Sequence, residues 1–175
     1  MKRIFLPIGL GALLLAARLG ATDAAPRVTV AFFEPEKFTD VRDSALFNDS
    51  GRTTYLEQIR DHLLAEAPKY LSEGQRLEIT FTDIDLAGDF ELWRGPQYFD
   101  VRMVRDIYPP RLEFSFRLLD ATGKVVKEAR RTLLDLAFQL RSSVVSQHDT
   151  LRYEKSMLDD WLREELPRQI GRAHV

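Results

Sequence analysis

Two stretches of this chain alternate apolar and polar side chains so strictly that each has to be a strand with one greasy face. In QRLEITFTD (75–83), Leu77, Ile79 and Phe81 fall on one side, and Glu78, Thr80 and Thr82 on the other. In PRLEFSFRLL (110–119), Leu112, Phe114, Phe116 and Leu118 oppose Glu113, Ser115 and Arg117. Successive side chains of a strand point to opposite faces of the sheet, so both stretches predict half-buried strands. Their apolar faces need a cover, and two helices can supply it. Tyr55, Leu56, Ile59, Leu63, Leu64, Ala67, Tyr70 and Leu71 recur at helical spacing. Pro68 is placed to kink or end that helix, and Gly74 to stop it. Asp49 or Ser50 can cap its start. Leu151, Leu158, Trp161, Leu162 and Leu166 mark a second helix, capped by Asp149 or Thr150.

The remaining elements complete one domain, residues 26–168. RVTVAFFEP (27–35) reads as a first strand, and Phe38, Val41 and Phe47 as tie-down points in the loop after it. DATG turns the Leu112–Leu118 strand into a hairpin. A four-residue loop places Glu113 opposite Arg130 and Lys127 opposite Phe116; the second pairing is awkward, and a bulge is the alternative. The order strand, helix, strand, long connection, hairpin, helix predicts an α+β two-layer sandwich. Its sheet is mixed, mostly antiparallel, with about four to five strands and both helices on one face. The first two strands should be parallel.

The start of the chain, MKRIFLPIGLGALLLAARLGA, has a positive n-region (Lys2, Arg3), an apolar core too short to span a membrane, and small residues at its end. It reads as a signal peptide, residues 1–21, cleaved after Ala21 or after Ala24; an uncleaved anchor is the alternative. With no cysteine, the mature chain has neither disulfides nor a lipid-modified cysteine, so a periplasmic or secreted protein without a transmembrane segment is expected. Residues 169–175 read as a non-native or disordered tail, since QIGRAHV resembles a translated sequencing adapter. Removing three bases and no acid with residues 1–21 takes the net charge from −2 to −5, and losing Arg172 takes it to −6. An acidic domain of this kind lacks the electrostatic footprint of a nucleic-acid binder.

The connection from Asp85 to Arg111 is long for a compact domain, and such connections are usually functional. Val101, Met103 and Ile107 alternate within it and suggest an edge strand ended by Pro109-Pro110. Five stretches, FFEPEKFTDVRDS, EITFTDIDLAGDFELWRGP, VRMVRDIYPPR, GKVVKEARRTLLDLAF and LRYEKSMLDDWL, together resemble the secreted Gram-negative family known as domain of unknown function 3016. The resemblance runs from about Val28 to Leu162. That family has no assigned activity, so the resemblance implies no catalytic residues, cofactor or substrate.

Candidate chemistry is confined to this connection. Asp83 and Asp85 share a face at a strand end and could act as an acid–base pair or hold a cation; aspartates also gather where strands give way to turns. Asp89 lies close by. Arg94, Arg102, Arg105 and Arg111 could clamp an anion, or pair with Asp83, Asp85, Asp89 and Asp106 to pin the connection down. Trp93, Tyr98, Phe99 and Tyr108 form either a binding face or a lid. Only His62 and His148 are usable histidines, so a zinc site is not expected, and no elbow, phosphate loop or metalloprotease motif appears. The reading is a non-catalytic binding or accessory module for an envelope protein or small ligand, without cofactor or metal. Its contacts would be Asp83, Asp85, Asp89, Trp93, Arg94, Arg105 and Tyr108. The alternatives are a carboxylate-dependent hydrolase of an envelope polymer and a purely structural role.

Overall fold

The computed structural model describes residues 26–44, 49–140 and 149–166. The expected signal peptide, the tail, Phe47, His148 and the side chains of Asp49 and Ser50 lie outside the described residues. The chain runs β1 (Val28–Phe32), α1 (Asp49–Glu66), β2 (Arg76–Asp85), β3 (Asp89–Phe90), β4 (Arg102–Met103), β5 (Arg111–Leu119), β6 (Val125–Leu134) and α2 (Arg152–Glu165).

The main sheet has the order β1-β2-β5-β6, with β1 parallel to β2 and the other neighbours antiparallel. Both helices cover the same face, as the two apolar stripes demand. Ile59 and Leu63 of α1 and Leu158 and Leu162 of α2 share one core with Leu77, Ile79, Phe81, Leu112, Phe114 and Phe116. Trp161 sets its ring edge-on to Phe114 (4.8 Å) and Phe116 (5.3 Å), so α2 is locked over the hairpin by aromatic contacts. His62 of α1 joins the two helices through a 2.8 Å contact with Asp159. Phe38 and Val41 are buried, the tie-downs that their loop needs. The fold is the α+β sandwich that the periodicities predict.

Three local expectations are corrected. Leu64 is exposed, and the α-helical part of the first helix ends at Glu66, passing into a 3-10 turn at Ala67–Tyr70. Pro68 is the cause, because it cannot donate a hydrogen bond back along the helix. Val101 and Ile107 are exposed, and the expected edge strand shrinks to β4, which pairs with β3 in a separate two-stranded ribbon. What fixes β4 is Arg102, whose guanidinium is drawn inward, and not an apolar alternation. The hairpin register places Glu113 opposite Thr132 and Lys127 opposite Leu118, with a shift between Leu118 and Leu119. Asp120 sets that turn: its carboxylate accepts the N–H groups of Thr122 and Lys124, at 2.9 and 3.0 Å. Lys127 and Arg131 keep the helix face of β6, and both escape the core by reaching Glu165 of α2, at 2.6 and 2.8 Å.

An irregularity in β2 matters most for function and keeps Asp83 and Asp85 on one shared face, as expected. A β-bulge between Phe81 and Asp83 inserts one residue into β2. Unbroken alternation from Leu77, Ile79 and Phe81 would have driven Asp83 and Asp85 into the core. The bulge reverses the phase, so that Ile84 and Leu86 are buried and both aspartates turn to the face away from the helices.

Candidate functional site

That face carries a row of side chains at the end of the sheet. Asp40 bridges to Asp85, Asp85 pairs with Arg111, and Arg111 pairs with Leu134, so four chain segments lie side by side. Ile107, Tyr108 and Pro109 line the far side of the row, tied down where the Gly88 N–H donates to the Tyr108 carbonyl at 3.0 Å. Between row and loop lies an open cavity of about 370 Å³, which Asp40, Arg42, Asp85, Asp89 and Arg111 also line. Gly88 holds φ at +85°, and a Cβ there would stand 2.9 Å from the Met103 carbonyl oxygen, so the close approach of β4 requires glycine.

The charges around the cavity are almost all committed to one another. Asp40 is buried and accepts from Arg42 and Arg102, each at 2.9 Å. Asp83 accepts from the Thr39 N–H and hydroxyl, both at 2.7 Å, and from Arg111 at 2.6 Å. Arg111 also holds Glu113. Asp89 accepts its neighbour's N–H, that of Phe90, at 2.7 Å, with Arg42 3.7 Å away. Asp85 differs: among the described residues nothing donates a hydrogen bond to its side chain. Partial burial, with Asp40 and Asp83 nearby and only Arg111 and Arg102 opposing them, pushes its pKa up to about 6.

A second cluster surrounds Glu91, whose side chain is 0% exposed. Arg94 and Arg105 pair with it, Arg105 at 3.1 Å, and the Tyr108 hydroxyl donates to it at 3.4 Å. Three of the expected contact residues, Arg94, Arg105 and Tyr108, are therefore turned onto a buried carboxylate, and Tyr108 alone also reaches the cavity. Trp93 is 72% exposed, whereas Tyr98, Phe99 and Tyr108 are half-buried. Replacing Trp93 with alanine is expected to change stability by less than about 0.5 kcal/mol, because it gives up almost no burial. A thermal melt checks this, and a loss several times larger would assign Trp93 to the core.

The arginines of the connection do pair internally, as one of the two sequence readings holds, but mostly with other partners than expected. Arg102 takes Asp40, and Arg94 and Arg105 take Glu91. Two residues escaped the sequence reading. Asp40 gives little local signal: Arg42 stands two positions on, but the arginine that grips both oxygens, Arg102, lies 62 positions away. Glu154 does give one: it stands three residues after Leu151 and four before Leu158, on the apolar stripe of α2. There it is 0% exposed, and one carboxylate oxygen accepts the Ala87 N–H at 2.7 Å while the other has no hydrogen-bond partner among the described residues.

Residues 26–164 match the family model described as "Protein of unknown function (DUF3016)". The chain belongs to this family. Neither a curated protein nor a solved structure matches it. The matched span of this DUF3016 chain takes in the cavity row, the Glu91 cluster and Glu154, so the whole candidate site is part of the family's domain. Among the described residues, no helix of this DUF3016 domain is long and apolar enough to cross a membrane.

Proposed function

We propose that this protein is an exported, non-catalytic binding module of the cell envelope whose cavity takes an ammonium group on an aliphatic stem. The observation that carries the reading is Asp85. Among the described residues, it is the one carboxylate opening into the cavity that no other side chain holds. An uncommitted negative charge beside Leu86, Ile107, Pro109 and Leu134 suits a cation with an apolar stem, such as a lysine side chain or a small primary amine. A divalent cation suits it less, because calcium needs six or more oxygens and Asp40 is already held by two guanidiniums. The positive, apolar and small-residue order of the N-terminal run supports export.

The test is a titration of the isotope-labelled domain with n-butylammonium and with Nα-acetyl-lysine methylamide, followed by NMR. Binding is expected to weaken on acidification through about pH 6 as Asp85 takes up a proton. Asp85→Asn should weaken it at least about tenfold at neutral pH. Equal affinity in the variant would refute the reading.

The raised pKa of Asp85 favours a second reading, a carboxylate-dependent hydrolase of an envelope polymer with Asp85 as proton donor. It is the weaker one, because the neighbouring carboxylate it would need, Asp83, is held by Thr39 and Arg111.

A further inference from the structure

A second cavity, of about 150 Å³, opens between Tyr55 of α1, Leu86 and Ala87 after β2, Arg102 of β4 and the first turn of α2. It shares Leu86 with the Asp85 cavity but carries the opposite charge: Arg102 and Arg152 line it, and no acidic residue does. Its walls are fixed from both sides. Glu154 of α2 holds the Ala87 N–H at 2.7 Å. Tyr153 packs edge-on against Phe138 at 4.8 Å and carries the Arg152 guanidinium over its ring, 4.3 Å from the centroid.

A count of donors indicates what the cavity takes. A guanidinium has five N–H groups. Arg102 commits four of them, two to Asp40 and one each to the carbonyls of Gly88 and Arg42. The fifth, on Nε, is buried and has no acceptor among the described residues. Such a donor costs free energy until an acceptor reaches it. The Arg152 side chain donates to the Asp149 carbonyl and the Tyr153 hydroxyl, and no carboxylate among the described residues balances its charge. Burial raises the pKa of the Tyr55 phenol in the same wall, which keeps it protonated and able to donate. Because Asp40 already balances Arg102, the surplus is the single positive charge of Arg152. A monoanion matches that surplus, whereas a phosphate dianion would leave one charge uncompensated. Leu86, Val104 and Leu151 make the rest of the lining apolar. A cavity of about 150 Å³ holds a molecule of the size of benzene, which limits the stem of a carboxylate to about three or four carbons.

We infer that this cavity binds a small monocarboxylate. The carboxylate oxygens accept from the Arg102 Nε–H, from Arg152 and from the Tyr55 hydroxyl, and the short stem packs on Leu86, Val104 and Leu151.

The probe is butanoate, with the neutral isostere butanamide as control, titrated into the isotope-labelled domain and followed by NMR. Butanoate is expected to shift the Arg102 Nε–H resonance and the amides of Tyr55 and Leu151, and butanamide to bind at least about tenfold more weakly. Arg152→Gln should weaken butanoate at least about tenfold, and Arg152→Lys, which keeps the charge, should recover most of that loss. Tyr55→Phe removes one donor at nearly constant volume and should weaken binding about threefold or more. Nα-acetyl-leucine, titrated alongside, stands for the carboxy terminus of a peptide, as butanoate stands for a free acid. Whichever binds more tightly identifies the source, and both support a carboxylate site. An Arg102 Nε–H signal that ignores both acids would mean that the cavity holds only water. That result, equal binding of butanoate and butanamide, or unchanged affinity in both Arg152→Gln and Tyr55→Phe would each overturn the inference.

Discussion

Replacing Arg102 with methionine is expected to lower stability by about 3 kcal/mol, the low end of the usual cost of breaking a buried pair, because Arg42 still holds one oxygen of Asp40. Arg102 donates to both oxygens of Asp40, at 2.9 and 3.1 Å, and to the carbonyls of Gly88 and Arg42, each at 2.8 Å. Its guanidinium also lies over the Phe90 ring, 4.6 Å from the centroid. One side chain therefore fastens the β3–β4 ribbon, the loop at Asp40–Arg42 and the floor of the cavity at Gly88. Urea denaturation of wild type, Arg102→Met, Asp40→Asn and the double variant measures the coupling. The double variant should be less destabilised than the sum of the single changes, since the neutral amide introduced by Asp40→Asn leaves no charge to strand. Arg102→Lys should recover only part of the loss, because an ammonium cannot make the two-pronged contact. A loss below about 1 kcal/mol for Arg102→Met would show that the ribbon is held by packing instead.

That dependence on one arginine explains why the sheet was legible in the sequence and the cavity was not. Leu77–Phe81 and Leu112–Leu118 announce their faces locally, because each strand contains its own period. The helices do the same through Ile59, Leu63, Leu158 and Leu162, all buried where the stripes place them. The bulge was legible too, though only as a change of phase: the buried positions go from odd numbers at Leu77, Ile79 and Phe81 to even numbers at Ile84 and Leu86. Pairings across the long connection have no such signature. Which acid Arg102, Arg105 or Arg111 meets depends on how two distant loops are brought together, and a list of charges is compatible with many matchings. Asp85 became distinctive only when the alternatives were used up: Asp83 by Arg111, Asp40 by Arg102, and Glu91 by Arg94 and Arg105.

Glu154 should make the domain lose stability as pH rises, and Glu154→Gln should remove much of that loss. Burial raises the pKa of this carboxyl, and the Ala87 N–H and the charge of Arg102 offset the shift only in part. The folded state therefore holds a proton that the unfolded chain has already released. Stability from that proton is complete below the unfolded carboxyl pKa and disappears as pH climbs through the folded one. Asp85 acts in the same direction, between its ordinary 3.8 and about 6. Melting temperature should accordingly rise when neutral protein is acidified toward about pH 5, opposite to the usual behaviour of domains held by salt-bridged carboxylates. The amide in Glu154→Gln keeps an oxygen to accept from Ala87 and has no proton to lose. Stability of that variant should therefore vary less with pH than that of wild type, and Asp85→Asn should flatten the curve further. Glu154→Leu is the contrasting case. It leaves the Ala87 N–H buried without an acceptor, at a cost of about 1–3 kcal/mol at any pH. Because Ala87 stands between Leu86 and Gly88, both of which line the cavity, the leucine variant should also weaken ammonium binding, whereas the glutamine variant should preserve it. Melting curves across pH for wild type and the three variants decide the matter: an unaltered pH dependence in Glu154→Gln would mean that Glu154 is ionised in the fold and held by partners other than Ala87.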